Sequence, residues 1–125
     1  MKKFDKLLET HDAYIISLAE NNFSFTAVFK NLLDWLSRLG DEPDYYKKTF
    51  KNKPMLLLST SPSPQGASSV MGTATKYWPW LGANIIANYS LPSYYTNFKE
   101  NNIVNEEEKK KFFEALEKFN SHISK

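Results

Sequence analysis

Apolar positions along the chain alternate between helical spacing and short continuous runs. Phe4, Leu7 and Leu8 give a brief helical spacing that His11-Asp12 interrupts. Ala13 to Leu18 (AYIISL) is then a compact apolar run with tyrosine and two isoleucines, which reads as a buried strand. From Phe25 or Thr26 to Leu39 the spacing becomes helical again. Phe29, Leu32, Leu33 and Leu36 fall at i, i+3, i+4 and i+7, with Lys30, Asp34, Ser37 and Arg38 on the other side. Gly40 is expected to end this helix.

A polar loop with Tyr45, Tyr46 and Phe50 spans Asp41 to Lys53, and a second buried strand begins at Pro54. Ser59 to Ser69 (STSPSPQGASS) is turn-rich. Val70, Met71, Ala74 and Trp78 give the next helix a partial apolar face, and Pro79 stops it. A third strand runs from Ala83 to Leu91, and Pro92 to Asn105 is a further loop. Asn105 caps the last helix, Glu106 to Glu108 suit its positive end, and Phe112, Phe113, Leu116, Phe119 and Ile123 form an expected buried stripe.

Helices therefore alternate with strands, which predicts an α/β fold: a three-layer parallel sheet with helices on both faces and right-handed crossovers. Ligands of such sheets sit beyond the carboxyl ends of the strands. The polar segments leaving those ends, Ala19 to Ser24 and Ser59 to Ser69, are thus the candidate site.

The length of 125 residues suits one domain, and 42% hydrophobic with 15% aromatic residues supplies a packed interior. A net charge of +2, with acids and bases interleaved as in NEEEKKKFF, gives no basic surface for nucleic acid. With no cysteine, disulfides, thiolate metal sites and cysteine nucleophiles are excluded, and a reducing cytoplasm is the simplest fit. No apolar run approaches the ~18 residues of a membrane helix, and MKKFDKLLETHD lacks the apolar core of a signal peptide.

The chemistry-bearing residues are sparse. Neither His11 nor His122 sits in a triad context, and no spaced set of acids or histidines suggests a metal. Ser59, Thr60 and Ser61 suit either a ligand edge or an ordinary strand-to-helix turn. Glu20, Asn22 and Ser24 suit either a pocket or a loop that caps the next helix, with Ser24 or Thr26 as N-cap. Lys30 and Asp34 are spaced for a surface ion pair, and Trp35 is expected to pack, with a subunit contact as the alternative. Tyr77, Trp78, Trp80, Tyr89, Tyr94, Tyr95 and Phe98 are expected to pack a core or a subunit contact more than to stack on a ligand.

These residues resemble the NADPH-dependent FMN reductase family, which has a flavodoxin-like fold. The family carries a strand ending in Pro-Glu-Tyr-Asn-Gly-Ser and then Pro-x-x-Leu-Lys-Asn-x-x-Asp-Trp-x-Ser. This chain matches at Glu20, Asn22, Ser24, Lys30, Asn31, Asp34, Trp35 and Ser37. The family's Ser- and Gly-rich loop corresponds to Ser59, Thr60, Ser61, Pro62, Ser63, Pro64, Gln65, Gly66 and Ala67, and LGANIIANYSLPSYYTNF is also family-like. The resemblance implies hydride transfer from NAD(P)H to FMN and onward to an acceptor. It implies a flavin site at Glu20, Asn21, Asn22, Ser24, Ser59, Thr60, Ser61, Gln65 and Gly66.

Two departures shape the expectation. Residues 1–125 supply the last three of the family's five strands, so the expected unit is a single flavodoxin-like domain lacking its first βαβ unit and phosphate loop, a truncated or partial form. The open side of Ala13–Leu18 is then expected to self-associate or to pair with a partner chain. In the loops, Phe23 and Ala67 stand at family glycines, Ser63 and Pro64 at two more, and Gln65 at an arginine. The alternative function is a non-catalytic flavodoxin-like remnant acting as an interaction or assembly module.

Overall fold

The computed structural model describes residues 1–125. Helix α1 (Lys2–Thr10) leads to strand β1 (Tyr14–Leu18), then a ladder of β2 (Glu20–Asn21) and β3 (Ser24–Phe25), then α2 (Ala27–Leu36). A single 3-10 turn (Tyr45–Lys48) precedes β4 (Pro54–Thr60). Next come α3 (Ser68–Tyr77), a second 3-10 turn (Trp78–Leu81) and β5 (Asn84–Leu91). The one-turn α4 (Tyr94–Asn97), a ladder of β6 (Phe98–Lys99) and β7 (Asn102–Ile103), and α5 (Glu106–Ile123) complete the chain.

The three long strands form one parallel sheet in the order β1-β4-β5, with Tyr14 opposite Met55 and Leu18 opposite Ser59. The alternation of helix and strand thus builds the expected α/β architecture. Central β4 is the most apolar strand, and Met55, Leu56 and Leu57 are essentially inaccessible because helices cover both its faces. One face packs beneath α1, α2 and α3 in a cluster joining Leu18, Leu33, Leu57, Val70 and Trp78. Trp78 is its hub, with ring centroids 5.5 Å from Phe25, 5.7 Å from Phe29 and 4.8 Å from Phe50. The other face packs under α5 through Leu56, Ala87 and Phe119, and through Tyr89, Leu91 and Ile103.

Several expectations change. Helix α2 ends at Leu36, and Gly40 is not its left-handed stop. A side chain at Gly40 would overlap the Tyr45 ring, so packing fixes this glycine. The α5 stripe is only partly buried: Phe119 is enclosed and Phe112 and Leu116 half-buried, but Phe113 and Ile123 are exposed. The cause is coverage, because α5 packs on β4 and β5 and leaves β1 open on that face. Trp35 is exposed rather than packed. The aromatic group divides: Trp78 and Tyr89 are core, Tyr94 and Phe98 half-buried, and Tyr77, Trp80 and Tyr95 face solvent. The loops expected at 19–24 and 92–105 each contain a two-residue antiparallel ladder.

Helix α1 has apolar residues on one side, yet none of them is buried. Polar contacts fix it. Lys51 Nζ lies 2.6 Å from Asp5 Oδ1, and the Tyr14 hydroxyl donates to the Leu8 carbonyl at 2.6 Å. Burial alone would lower the Lys51 pKa, but the hydrogen bond and charge of Asp5, with Tyr45 and Glu9, raise it overall. No helix is long and apolar enough to cross a membrane.

Candidate functional site

Loops leave the carboxyl ends of β1, β4 and β5 side by side, because the three strands run parallel. The first is the β2–β3 hairpin. Glu20 pairs with Phe25 and Asn21 with Ser24, so Asn22 and Phe23 form a two-residue turn with φ of 50° and 66°. Positive φ at both central residues marks the hairpin turn that favours Asn-Gly. Asparagine fits the first position, and Phe23 takes the second although it carries a Cβ. Thr26 then caps α2 by accepting from the Phe29 amide at 3.3 Å.

The second loop repeats this pattern. Gly66 has φ 59° and Ala67 φ 62°. A Cβ at Gly66 would sit 2.8 Å from the Leu91 carbonyl oxygen, so close approach to β5 requires glycine there. Ala67 occupies the left-handed position immediately before α3 with its methyl enclosed in the core. Backbone that suits glycine is thus held at two positions where the chain has a larger residue.

Side chains tie the three loops together. The Glu20 carboxylate accepts from the Val70 amide in the first turn of α3 at 2.7 Å, which joins the first loop to the second. That amide is one of the unpaired donors of a helix start, so a carboxylate is well suited to it. The Ser59 hydroxyl meets the Gly66 carbonyl at 2.9 Å and Ser90 Oγ at 2.7 Å. Thr60 donates to the Leu91 carbonyl at 2.9 Å, and Ser61 Oγ accepts from the Ala67 amide at 3.1 Å. The amides of Ser93 and Tyr94 donate to the carbonyls of Ser63 and Ser61, fastening the third loop to the second.

The nine residues singled out in the sequence do not form one pocket. Glu20 is turned to α3, while Asn21, Asn22 and Ser24 are exposed on the hairpin. Gln65 lies in a shallow polar cleft with Pro92 and Lys111. Gly66 is buried against β5. Ser59 and Thr60 border a cavity of about 440 Å³ on the α5 side of the sheet. That size falls within the range of small-molecule sites.

Leu58, Tyr94, Phe98 and Phe112 supply the apolar walls of this cavity, and Ser17, Asn101, Asn102 and Lys109 supply polar groups. Lys109 is its one charged residue. Tyr89 also reaches it, donating to Glu108 at 2.7 Å. Burial first, then the hydrogen bond and charge of Glu108, push that phenol well above its ordinary pKa, so Tyr89 stays neutral at physiological pH. Sequence reading missed the Asn101–Asn102 and Lys109 side of the cavity. The Asn101-Asn102 pair was a weak sequence signal for it, because asparagine favours turns; in the structure Glu100 and Asn101 form that turn with positive φ.

The residues present suit a flavin in one respect and give it little in another. The cavity has an apolar, aromatic wall for a flat ring and amide groups at its rim. Its single cation, Lys109, is a modest partner for a phosphate. A second cavity of about 400 Å³, lined by α1, β1 and α2, is almost wholly apolar. It lies along the side of the sheet, and its two non-hydrophobic lining residues are His11 and Ser17. No group of three or more acids or histidines is placed to hold a metal.

Comparison with known proteins gives one result. No curated protein matches the chain. The sequence model of the NADPH-dependent FMN reductase family matches residues 1–96, which spans β1, β4, β5, the loops that leave β1 and β4, and the start of the loop that leaves β5. The chain belongs to the NADPH-dependent FMN reductase family, and is in general terms an FMN reductase-like flavoprotein of flavodoxin-like fold.

Proposed function

We propose that this chain holds the isoalloxazine end of FMN at the carboxyl ends of β1, β4 and β5, and serves NAD(P)H-dependent reduction of that flavin. The observation that carries the reading is the locking of three loops into one unit by the Glu20–Val70 and Ser61–Tyr94 bonds. Preorganised loops of this kind lower the ordering cost of binding. Glu20, Asn21, Asn22, Ser24, Ser59, Thr60, Ser61, Gln65 and Gly66 are the proposed flavin-site set, of which Glu20, Ser59, Ser61 and Gly66 act by fixing loop shape and not by facing the ring. Bound FMN would supply the hydride-accepting chemistry. The protein's part is to position the ring and exclude water, so no acid–base residue is required of it.

The proposed unit is one partial flavodoxin-like domain that works as an oligomer or with a partner chain, in the cytoplasm. A second reading is a non-catalytic assembly module. It is favoured by the internal use of the Ser59, Thr60 and Ser61 hydroxyls, which leaves few side-chain groups for a ligand.

FMN titration followed by visible absorbance and flavin fluorescence distinguishes them. Saturable binding at micromolar FMN, followed by NADPH oxidation, is the expected result. No binding at millimolar FMN overturns the reductase reading in favour of the module.

A further inference from the structure

Helix α5 carries lysines at positions 109, 110 and 111, and two of them have partners. Lys110 Nζ lies 4.0 Å from Glu114, and Lys111 Nζ lies 3.4 Å from Glu107 and 3.2 Å from Glu108. Lys109 has no carboxylate within that reach, although three glutamates precede it. It also stands near the positive end of its helix, where a cation is unfavourable. Places where a sequence breaks local rules without a structural gain are where function is to be sought. Lys109 is half-buried and lines the cavity on the α5 side of the sheet. No acid lines that cavity. Tyr89 and Lys111 hold Glu108, and Lys111 also holds Glu107. The aromatic walls come from two elements. Tyr94 and Phe98, stacked at 5.2 Å, follow β5, and Phe112 and Phe113 stand on α5. Phe113 stays 52% exposed. Asn101 and Asn102 bring carboxamides from the β6–β7 turn.

We infer that this end of the cavity binds a small planar aromatic monocarboxylate, a ligand other than FMN. Each part of that class follows from a separate feature. Aromatic walls favour a flat ring, held by offset stacking or edge contact. One lysine with no acid beside it in the cavity matches one negative charge. Its half-burial against rings weakens the screening of that charge by solvent. Carboxamide N–H groups at the rim suit the carboxylate oxygen that Lys109 leaves free. A doubly charged phosphate is a poorer match, because phosphate sites draw on free helix-start amides or on several charge-assisted hydrogen bonds. The start of α5 does not supply them: Asn105 caps it, and three glutamates fill its first turn. A volume of about 440 Å³ admits a compound of one or two fused rings. Tyr94, Phe98, Asn102 and Lys109 all lie outside the set proposed to hold the flavin.

The inference stands on the cavity alone and is independent of flavin binding. Its test is calorimetric titration of the intact chain with 2-naphthoate, with backbone amide shifts followed by NMR. The expected result is saturable submillimolar binding, with shifts centred on Asn101, Asn102, Lys109 and Phe112. Lys109→Gln should weaken 2-naphthoate at least threefold and leave the uncharged 2-naphthalenemethanol unaltered, which separates charge from shape. Lys109 has no ion pair to lose, so that variant should melt like the parent. The dianion 2-naphthyl phosphate should bind no tighter than 2-naphthoate. Four results overturn the inference. One is equal 2-naphthoate affinity in parent and variant. Another is tighter binding of the phosphate. A third is shifts centred on Phe4 and Leu32, which would place the ring in the apolar cavity beside α1. The last is no saturation at millimolar 2-naphthoate.

Discussion

Replacing Phe23 by glycine should stabilise the protein. Phe23 sits at φ 66° in the two-residue turn between β2 and β3, and its side chain is 80% exposed. A left-handed conformation costs an L-residue about 1–2 kcal/mol. Glycine avoids that cost but loses about 0.5–1 kcal/mol more backbone entropy on folding. Little apolar burial is lost with an exposed ring. The net gain is therefore about 0.5–1 kcal/mol. For 125 residues, an unfolding entropy of about 2.1 cal/mol/K per residue converts this to a rise in Tm of about 2–4 °C. Calorimetric melts of Phe23→Gly and Asn22→Gly make the comparison. Asparagine tolerates the left-handed region, so the second variant should gain much less. A Phe23→Gly protein melting at or below the parent temperature would refute the assignment of strain to this turn.

Glu20→Ala should leave the Val70 amide without its carboxylate and cost about 1 kcal/mol, the usual scale for loss of a helix cap. Faster exchange of that amide than in the parent checks the cause. Burial first, then the charges of Asp5 and Glu9, push the Tyr14 phenol up to about 12. A raised phenol pKa favours the neutral folded form, so this contribution is complete below pH ~10 and lost as pH rises towards ~12. Melts across that window should show falling Tm, with a shallower slope in Tyr14→Phe; an unchanged slope would contradict the shift. If the flavin phosphate lies near Lys109, Lys109→Gln should weaken FMN about two- to fivefold, as expected for a partly exposed charge pair worth about 0.5–1 kcal/mol. Riboflavin affinity should be unaltered, and equal losses for both ligands would remove Lys109 from phosphate recognition.

The long elements were legible because each carries its period in a continuous stretch. The apolar runs at Ala13–Leu18 and Pro54–Thr60 both proved to be strands, but only β4 is buried as expected: β1 is the edge strand, with Tyr14 and Leu18 buried and Ile15 exposed; Asn105 with three glutamates announced α5. Burial within α5 was not legible. Phe113 and Phe119 look equivalent by spacing, and only the position of α5 over β4 and β5 makes one exposed and the other enclosed. Gly40 looked like a helix stop because it follows an apolar period, but its cause is the Tyr45 ring. The site was legible as two loops and not as a pocket. Asn22 suits a left-handed turn position, but with phenylalanine in place of glycine at 23 the hairpin signal at 20–24 is incomplete. The contact that fixes Glu20 joins positions fifty residues apart.

The departures from the family's glycines, which put loop geometry in question from sequence, turn out to act on cost more than on shape. Phe23 and Ala67 both occupy the left-handed region that glycine would take freely. The loops can hold them there because contacts elsewhere over-determine the conformation: Glu20 on α3, Ser61 on the Ala67 amide, and the β5 loop on Ser61 and Ser63. Shape at the carboxyl ends is thus carried by the ties between loops and not by glycine at these two positions. Weak FMN binding would then be traced to the anion, where Lys109 is the one charged group in the cavity, before it is traced to the ring. A flavin lacking its phosphate separates the two causes. Riboflavin bound about as well as FMN would mean that the loops present the ring and that phosphate anchoring is minor. Failure of both would place the fault in the loops themselves.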